Sequence, residues 1–152
     1  MPNTPNTTNP RWTAEAMREL GERHARVETA GDLDATMATL VESPVYDFWP
    51  IGRRATGRDQ VLRYYEHLVS EFMPSMVGFT LIEEWHSESS LIQEYEVDLG
   101  SAERSEKHRI IGVLFASTER DGLLGGERIW GSEAVLRKMV GPVWDELEII
   151  SE

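Results

Sequence analysis

Residues 90 to 99 read SLIQEYEVDL, and they alternate: Leu91, Tyr95, Val97 and Leu99 share one parity, while Ile92, Glu94, Glu96 and Asp98 share the other. Side chains of a strand point alternately to opposite faces, so the stretch predicts a half-buried strand with one wet side. Outward from it, the segments 76–86, 106–118 and 123–130 have the same period of two, separated by Ser-rich, charged or Asp-Gly connections. Four strands joined this way predict an antiparallel meander. Ile110, Ile111, Val113, Leu114 and Phe115 are apolar at both parities, as in a central strand covered on both faces.

Upstream of residue 76 the period is helical. Ala16, Met17, Leu20, His24 and Val27 fall on one stripe, and Gly31 closes that helix. Asp32 caps a second helix with Leu33, Met37, Leu40 and Val41 inward, stopped by Pro44. Val45–Trp49 reads as a short strand, Arg53-Arg54 as a basic loop, and Thr56-Gly57 as the opening of a third helix that Pro74 ends. Ser132 caps a last helix that finishes at Gly141-Pro142. The expected class is therefore α+β: a cone-shaped, curved antiparallel sheet packed on three N-terminal helices. Three helices cannot fill a strongly bent sheet, and the remaining gap predicts one internal, mainly apolar pocket for a small hydrophobic molecule.

Of the 152 residues, 15 are Lys or Arg and 27 are Asp or Glu, a net charge of −12 that would repel a phosphate backbone. Nucleic acid is excluded as a partner. There are no cysteines, which removes disulfides, thiolate metal sites and cysteine nucleophiles and makes a cytoplasmic location the default. The apolar runs are too short to span a bilayer, and the first ten residues, MPNTPNTTNP, have neither the charge nor the hydropathy of a signal peptide. Residues 1–11 are expected to be a tail, 12–141 the domain and 142–152 a C-terminal extension.

Several motifs resemble those of nuclear-transport-factor-2-like proteins, in particular the SnoaL-like and ketosteroid-isomerase-like members. They are Glu28-Thr29-Ala30-Gly31-Asp32-Leu33-Asp34, then Val45-Tyr46-Asp47-Phe48, then Gly57 before an aromatic helix, and finally Asp121-Gly122 with Glu127-Arg128-Ile129-Trp130-Gly131-Ser132-Glu133. The resemblance covers roughly residues 13 to 141. It implies a cystatin-like α+β barrel and, among several known activities, cofactor-independent isomerisation, cyclisation of a polyketide-like substrate, or dehydration. A fold fixes no reaction, so function has to be argued from the site.

Asp47 resembles the general base of the isomerase members, and a carboxylate withdrawn from water can move a proton beside a carbonyl. The plain alternative is a strand-end Asp at the surface. His24 stands where those members place an oxyanion-binding tyrosine, the alternative being a core histidine with satisfied nitrogens. The family's second oxyanion donor falls near Ile111, which donates nothing, so steroid isomerisation itself is doubtful. Arg109 shares the parity of Ile111 and could hold an anionic oxygen, or lie in solvent. Trp130, Trp49, Tyr65, Phe79 and Tyr95, with Ile111, are expected to wall the pocket, since flat side chains bind rings through area and stacking.

His86, beside a Ser-rich loop, reads as a surface residue, and Arg53, Arg54 and Arg58 as a solvated run rather than an anion site. Gln93–Asp98 contains no arginine, which counts against the epoxide-hydrolase constellation. The four histidines lack metal-ligand spacing, so neither a metal nor a cofactor is expected. A non-catalytic binding module and a homodimer formed through the convex sheet face remain alternatives to an enzyme.

Overall fold

A computed structural model describes residues 12–119 and 122–151. Asp121 and the expected tail at 1–11 lie outside the described residues. Thr13 accepts a hydrogen bond from the Ala16 amide and starts α1 (Ala14–Thr29), and Asp32 does the same for Ala35 at the head of α2 (Leu33–Ala38). Gly31, between them, has φ +74°, a left-handed turn that favours glycine. Then come β1 (Leu40–Trp49), β2 (Arg53–Thr56) and α3 (Arg58–His67), the last prolonged by a π-helical turn to Phe72 and a 3-10 turn to Ser75. β3 (Met76–His86), β4 (Ser90–Gly100), β5 (Ser105–Ala116) and β6 (Leu124–Trp130) follow. The chain ends in α4 (Glu133–Val140), a 3-10 segment and β7 (Glu148–Ile149).

The strands form one seven-stranded sheet in the order β3-β4-β5-β6-β1-β2-β7. β3 to β6 make the expected antiparallel meander, but β1 joins β6 in parallel, so the sheet is mixed. Two elements differ from the sequence reading. Residues 40 and 41, expected at the end of α2, belong to β1: Leu40 pairs with Leu124, and the Thr39 carbonyl accepts from the Leu124 amide at 2.8 Å. Ladder pairing here overrides helical spacing. Arg53-Arg54, expected as loop, is the start of β2, paired with β1 through Asp47↔Arg54 and Phe48↔Arg53.

The concave face of the sheet carries Tyr46, Phe48, Leu91, Val97, Ile110 and Ile129, all buried against the helices. Fully burying side chains of this size contributes about 1.5–3 kcal/mol each before chain entropy is offset. β5 is not covered on both sides as its sequence suggests, because Ile111, Val113 and Phe115 on the convex face are only half-buried. Within the expected C-terminal extension, Val143, Trp144 and Leu147 belong to the core, and β7 extends the sheet beyond β2. Among the described residues, no helix is long and apolar enough to cross a membrane.

Candidate functional site

The bent sheet leaves a cavity of about 790 Å³ between α1, the α3–π segment and the concave faces of β3 to β6. Leu68, Phe72, Met73, Met76, Phe79 and Leu81 give it apolar walls, and one end is polar. That end is assembled from four elements. His24 and Glu28 lie one helical turn apart on α1 and therefore on one face. Tyr64 comes from α3, Tyr95 from β4, and Glu127 from β6, where Ile129 shares its parity and the exposed Arg128 takes the other.

His24 is 1% exposed and has both nitrogens engaged. The Thr39 hydroxyl donates to the Thr36 carbonyl at 2.6 Å, so towards His24 Nδ1, 2.7 Å away, it can only accept. Nδ1 therefore carries a proton, and Nε2 stands between the Tyr65 hydroxyl at 2.9 Å and the Glu28 carboxyl at 3.2 Å. The Tyr46 and Tyr65 hydroxyls meet at 2.5 Å. The resulting chain runs Tyr46, Tyr65, His24, Thr39, Thr36. Both ring nitrogens of His24 are thus engaged within the protein, and the residue lines the cavity.

Glu127 is arranged differently. Its carboxyl has no hydrogen-bond partner among the described residues, and burial, reinforced by the charge of Glu28, holds its pKa well above the ordinary 4.5. Glu28 lies 3.2 Å from His24 Nε2, and one ligand atom each from His24, Glu28 and Glu127 falls within a mutual 4.8 Å. Two carboxyl groups so close in an apolar cavity cannot both ionise cheaply, so the pair holds a proton at Glu127. The Tyr64 and Tyr95 hydroxyls also line the cavity without a hydrogen-bond partner among the described residues. Burial holds the pKa of both phenols well above the ordinary 10, which keeps them protonated and available as donors.

The three donors of this cluster, taken alone, have the compactness of a cation site. With Nε2 already meeting the Tyr65 hydroxyl, however, the arrangement suits a shared proton better than a metal. A second hollow of about 580 Å³ lies beyond Phe72, where Arg104, Arg137 and Lys138 face Glu71 and Glu106. These three cations and two carboxylates are exposed side chains.

Of the expected site residues, His24, Phe79 and Tyr95 line the cavity, and Tyr65 stands directly behind it in the hydrogen-bonded chain. Asp47 does not. Between the inward Tyr46 and Phe48 it takes the opposite face, where Arg54 grips it with Nε at 2.7 Å and a second nitrogen at 2.9 Å. The same alternation removes Ile111, Arg109 and Trp130: Ile111 pairs with Trp130 and Glu94 on the convex side, and Arg109 binds Glu94 and Glu96 there. Trp49, of the same parity as Asp47, pairs with Trp130. His86 is exposed, as expected. Glu28, Tyr64 and Glu127 are the cavity residues the sequence reading passed over as chemistry. The signal for Glu127 is its parity with the apolar Ile129 on one short strand.

No protein-family model and no curated protein matches the sequence. Solved structures do match in shape. A Kribbella flavida protein described provisionally as a ketosteroid isomerase is 21% identical with a TM-score of 0.59, over 79% of this chain and 80% of that one. A nuclear-transport-factor-2-like protein of unknown function from Mesorhizobium loti is 17% identical with a TM-score of 0.63, over 78% and 93%. Another from Burkholderia xenovorans is 21% identical at 0.58, over 78% and 84%. The fold resembled by the sequence motifs is the fold of this chain.

Proposed function

We propose that this chain of nuclear-transport-factor-2-like fold is a cofactor-independent acid–base enzyme that moves a proton within a neutral, hydrophobic carbonyl compound. The observation that carries the proposal is the Glu127 carboxyl, without a hydrogen-bond partner among the described residues, set beside Glu28 and His24 at the polar end of an apolar cavity. Glu28 takes a proton from the carbon beside the carbonyl, and the electrons of the broken C–H bond move to the oxygen. Tyr64 and Tyr95 donate hydrogen bonds to that oxygen. Glu127 gives its proton to a second carbon, the carbonyl re-forms, and the proton passes from Glu28 back to Glu127. No net proton is consumed. The same groups suit cyclisation of a polyketide-like chain or dehydration, which differ in where the enol electrons go.

Solvent deuterium incorporation into a panel of cyclic β,γ-unsaturated ketones tests this reading. Wild-type protein should catalyse incorporation at the second carbon, the one that Glu127 protonates, and Glu127→Gln should lose about 100-fold or more in that rate while the ketones still bind. Incorporation there by Glu127→Gln at the wild-type rate would remove Glu127 from the chemistry.

A second reading, non-catalytic contact with a partner copy, is favoured by one feature. Val77, Phe79, Leu81, Ile82 and Trp85 are exposed along edge strand β3, Phe79 and Leu81 on the cavity side and Trp85 on the convex side, and an apolar edge of this kind suits a homodimer. The cysteine-free composition suits the cytoplasm.

A further inference from the structure

Gly112 sits in the middle of β5 among Ile110, Ile111, Val113 and Leu114, where a β-branched or larger apolar residue would strengthen the strand. Its φ is not in the left-handed region, so the backbone does not require glycine. Glycine in a strand interior weakens the strand relative to alanine, and a close approach by another group is the usual compensation. Here that group is identifiable. A Cβ on Gly112 would stand 2.5 Å from Glu127 Oε1, and the next neighbours are Glu127 Cδ at 3.7 Å and Tyr95 Cε1 at 3.9 Å. The last two are ordinary contacts; only the carboxyl oxygen collides.

We propose that Gly112 is a positioning residue: the space left by its missing side chain is the niche that holds the Glu127 carboxyl flat against the central strand, beside the Tyr95 ring. This rests on the acid–base reading of Glu127, but the niche can be tested without a substrate. The groups facing the niche are His24 and Glu28 from α1, Tyr64 from α3, Tyr46 from β1 and Tyr95 from β4. All of them stay in place when Gly112 becomes alanine. The added methyl pushes a flexible carboxyl off the sheet into the wider, wetter part of the cavity, where its burial is relieved.

The experiment is a carbon-13 NMR titration of the Glu127 carboxyl in wild type and in Gly112→Ala, with Glu127→Gln to identify the resonance. Thermal unfolding is followed in parallel for Gly112→Ala, Glu127→Ala and the double variant. The expected result is that Gly112→Ala folds, with a Glu127 midpoint lower by about one pH unit or more. In the Glu127→Ala background, with no carboxyl to displace, the same substitution should raise the melting temperature, since alanine suits a strand better than glycine. An unchanged or higher midpoint in folded Gly112→Ala would overturn the proposal. So would destabilisation of equal size with and without the Glu127 carboxyl, because the glycine would then be serving backbone or Tyr95 packing. Loss of ketone exchange does not enter this test, so it stands or falls separately from the reaction.

Discussion

Asp47 is buried and Glu127 half-buried, and their neighbours separate their roles. Asp47 meets a bidentate Arg54 guanidinium, whereas the groups within 4.8 Å of the Glu127 carboxyl are the Glu28 carboxyl and the His24 ring. The folded protein holds the Glu127 proton more tightly than the unfolded chain does, so folding binds a proton between pH 4.5 and the raised midpoint. Stability from this group is therefore full below about pH 4.5 and falls as pH rises through that window. Glu127→Gln should flatten this part of the profile, so that its melting temperature gains on wild type with increasing pH, as scanning calorimetry across pH 4–8 would show. Asp47→Asn should cost about 1 kcal/mol, since Arg54 is partly solvated and the pair is screened. Its turnover of any carbonyl substrate should equal that of wild type; loss of turnover with stability intact would return the base role to Asp47. The sequence shows both acids but not this difference, because a partner seven residues away on a paired strand depends on register.

At the scale of elements, the period-two stretches from 76 to 130 expose the meander and the capping residues Asp32 and Ser132 expose helix starts, because both signals are local. The parallel junction of β1 with β6 is non-local, and it turned two expected helical residues into strand. It also decides the site. Pairing Tyr46 with Glu127 and Asp47 with Arg128 puts the first pair on the cavity side and the second outside. A shift by one residue would exchange them, which is why Asp47, Trp49 and Trp130 could be matched by motif yet face away. The buried chain from Tyr46 to Thr39 ties β1, α3 and α1 together through hydrogen bonds. Tyr65→Phe would remove the hydroxyl that links Tyr46 to His24 Nε2, at a cost of about 1–3 kcal/mol measurable by urea unfolding. The Glu127 titration should hardly move in that variant.

At the scale of the whole molecule, the acidic surface, the apolar cavity and the exposed β3 edge belong to one arrangement. Phe79 and Leu81 wall the cavity while remaining 59% and 47% exposed, so the edge and the pocket mouth are continuous. A second copy against β3 would remove this area from water, contributing roughly 25 cal/mol for each Å² of apolar surface covered. Light scattering should accordingly give twice the chain mass, and Trp85→Glu should give the monomer; a wild-type monomer at high concentration would exclude the homodimer. The cavity at the joint between sheet and helices was legible as a consequence of bending a sheet over too few helices. Which side chains close its polar end was not.

The central claim is that Glu127 holds its proton to well above the ordinary 4.5 because burial in the cavity, and then the charge of Glu28, keep it there. A carbon-13 NMR titration of the Glu127 carboxyl in wild type and in Glu28→Gln tests it most directly. The account predicts a wild-type midpoint well above 4.5 that falls when Glu28 loses its charge. A wild-type midpoint near 4.5, unmoved by Glu28→Gln, would contradict it.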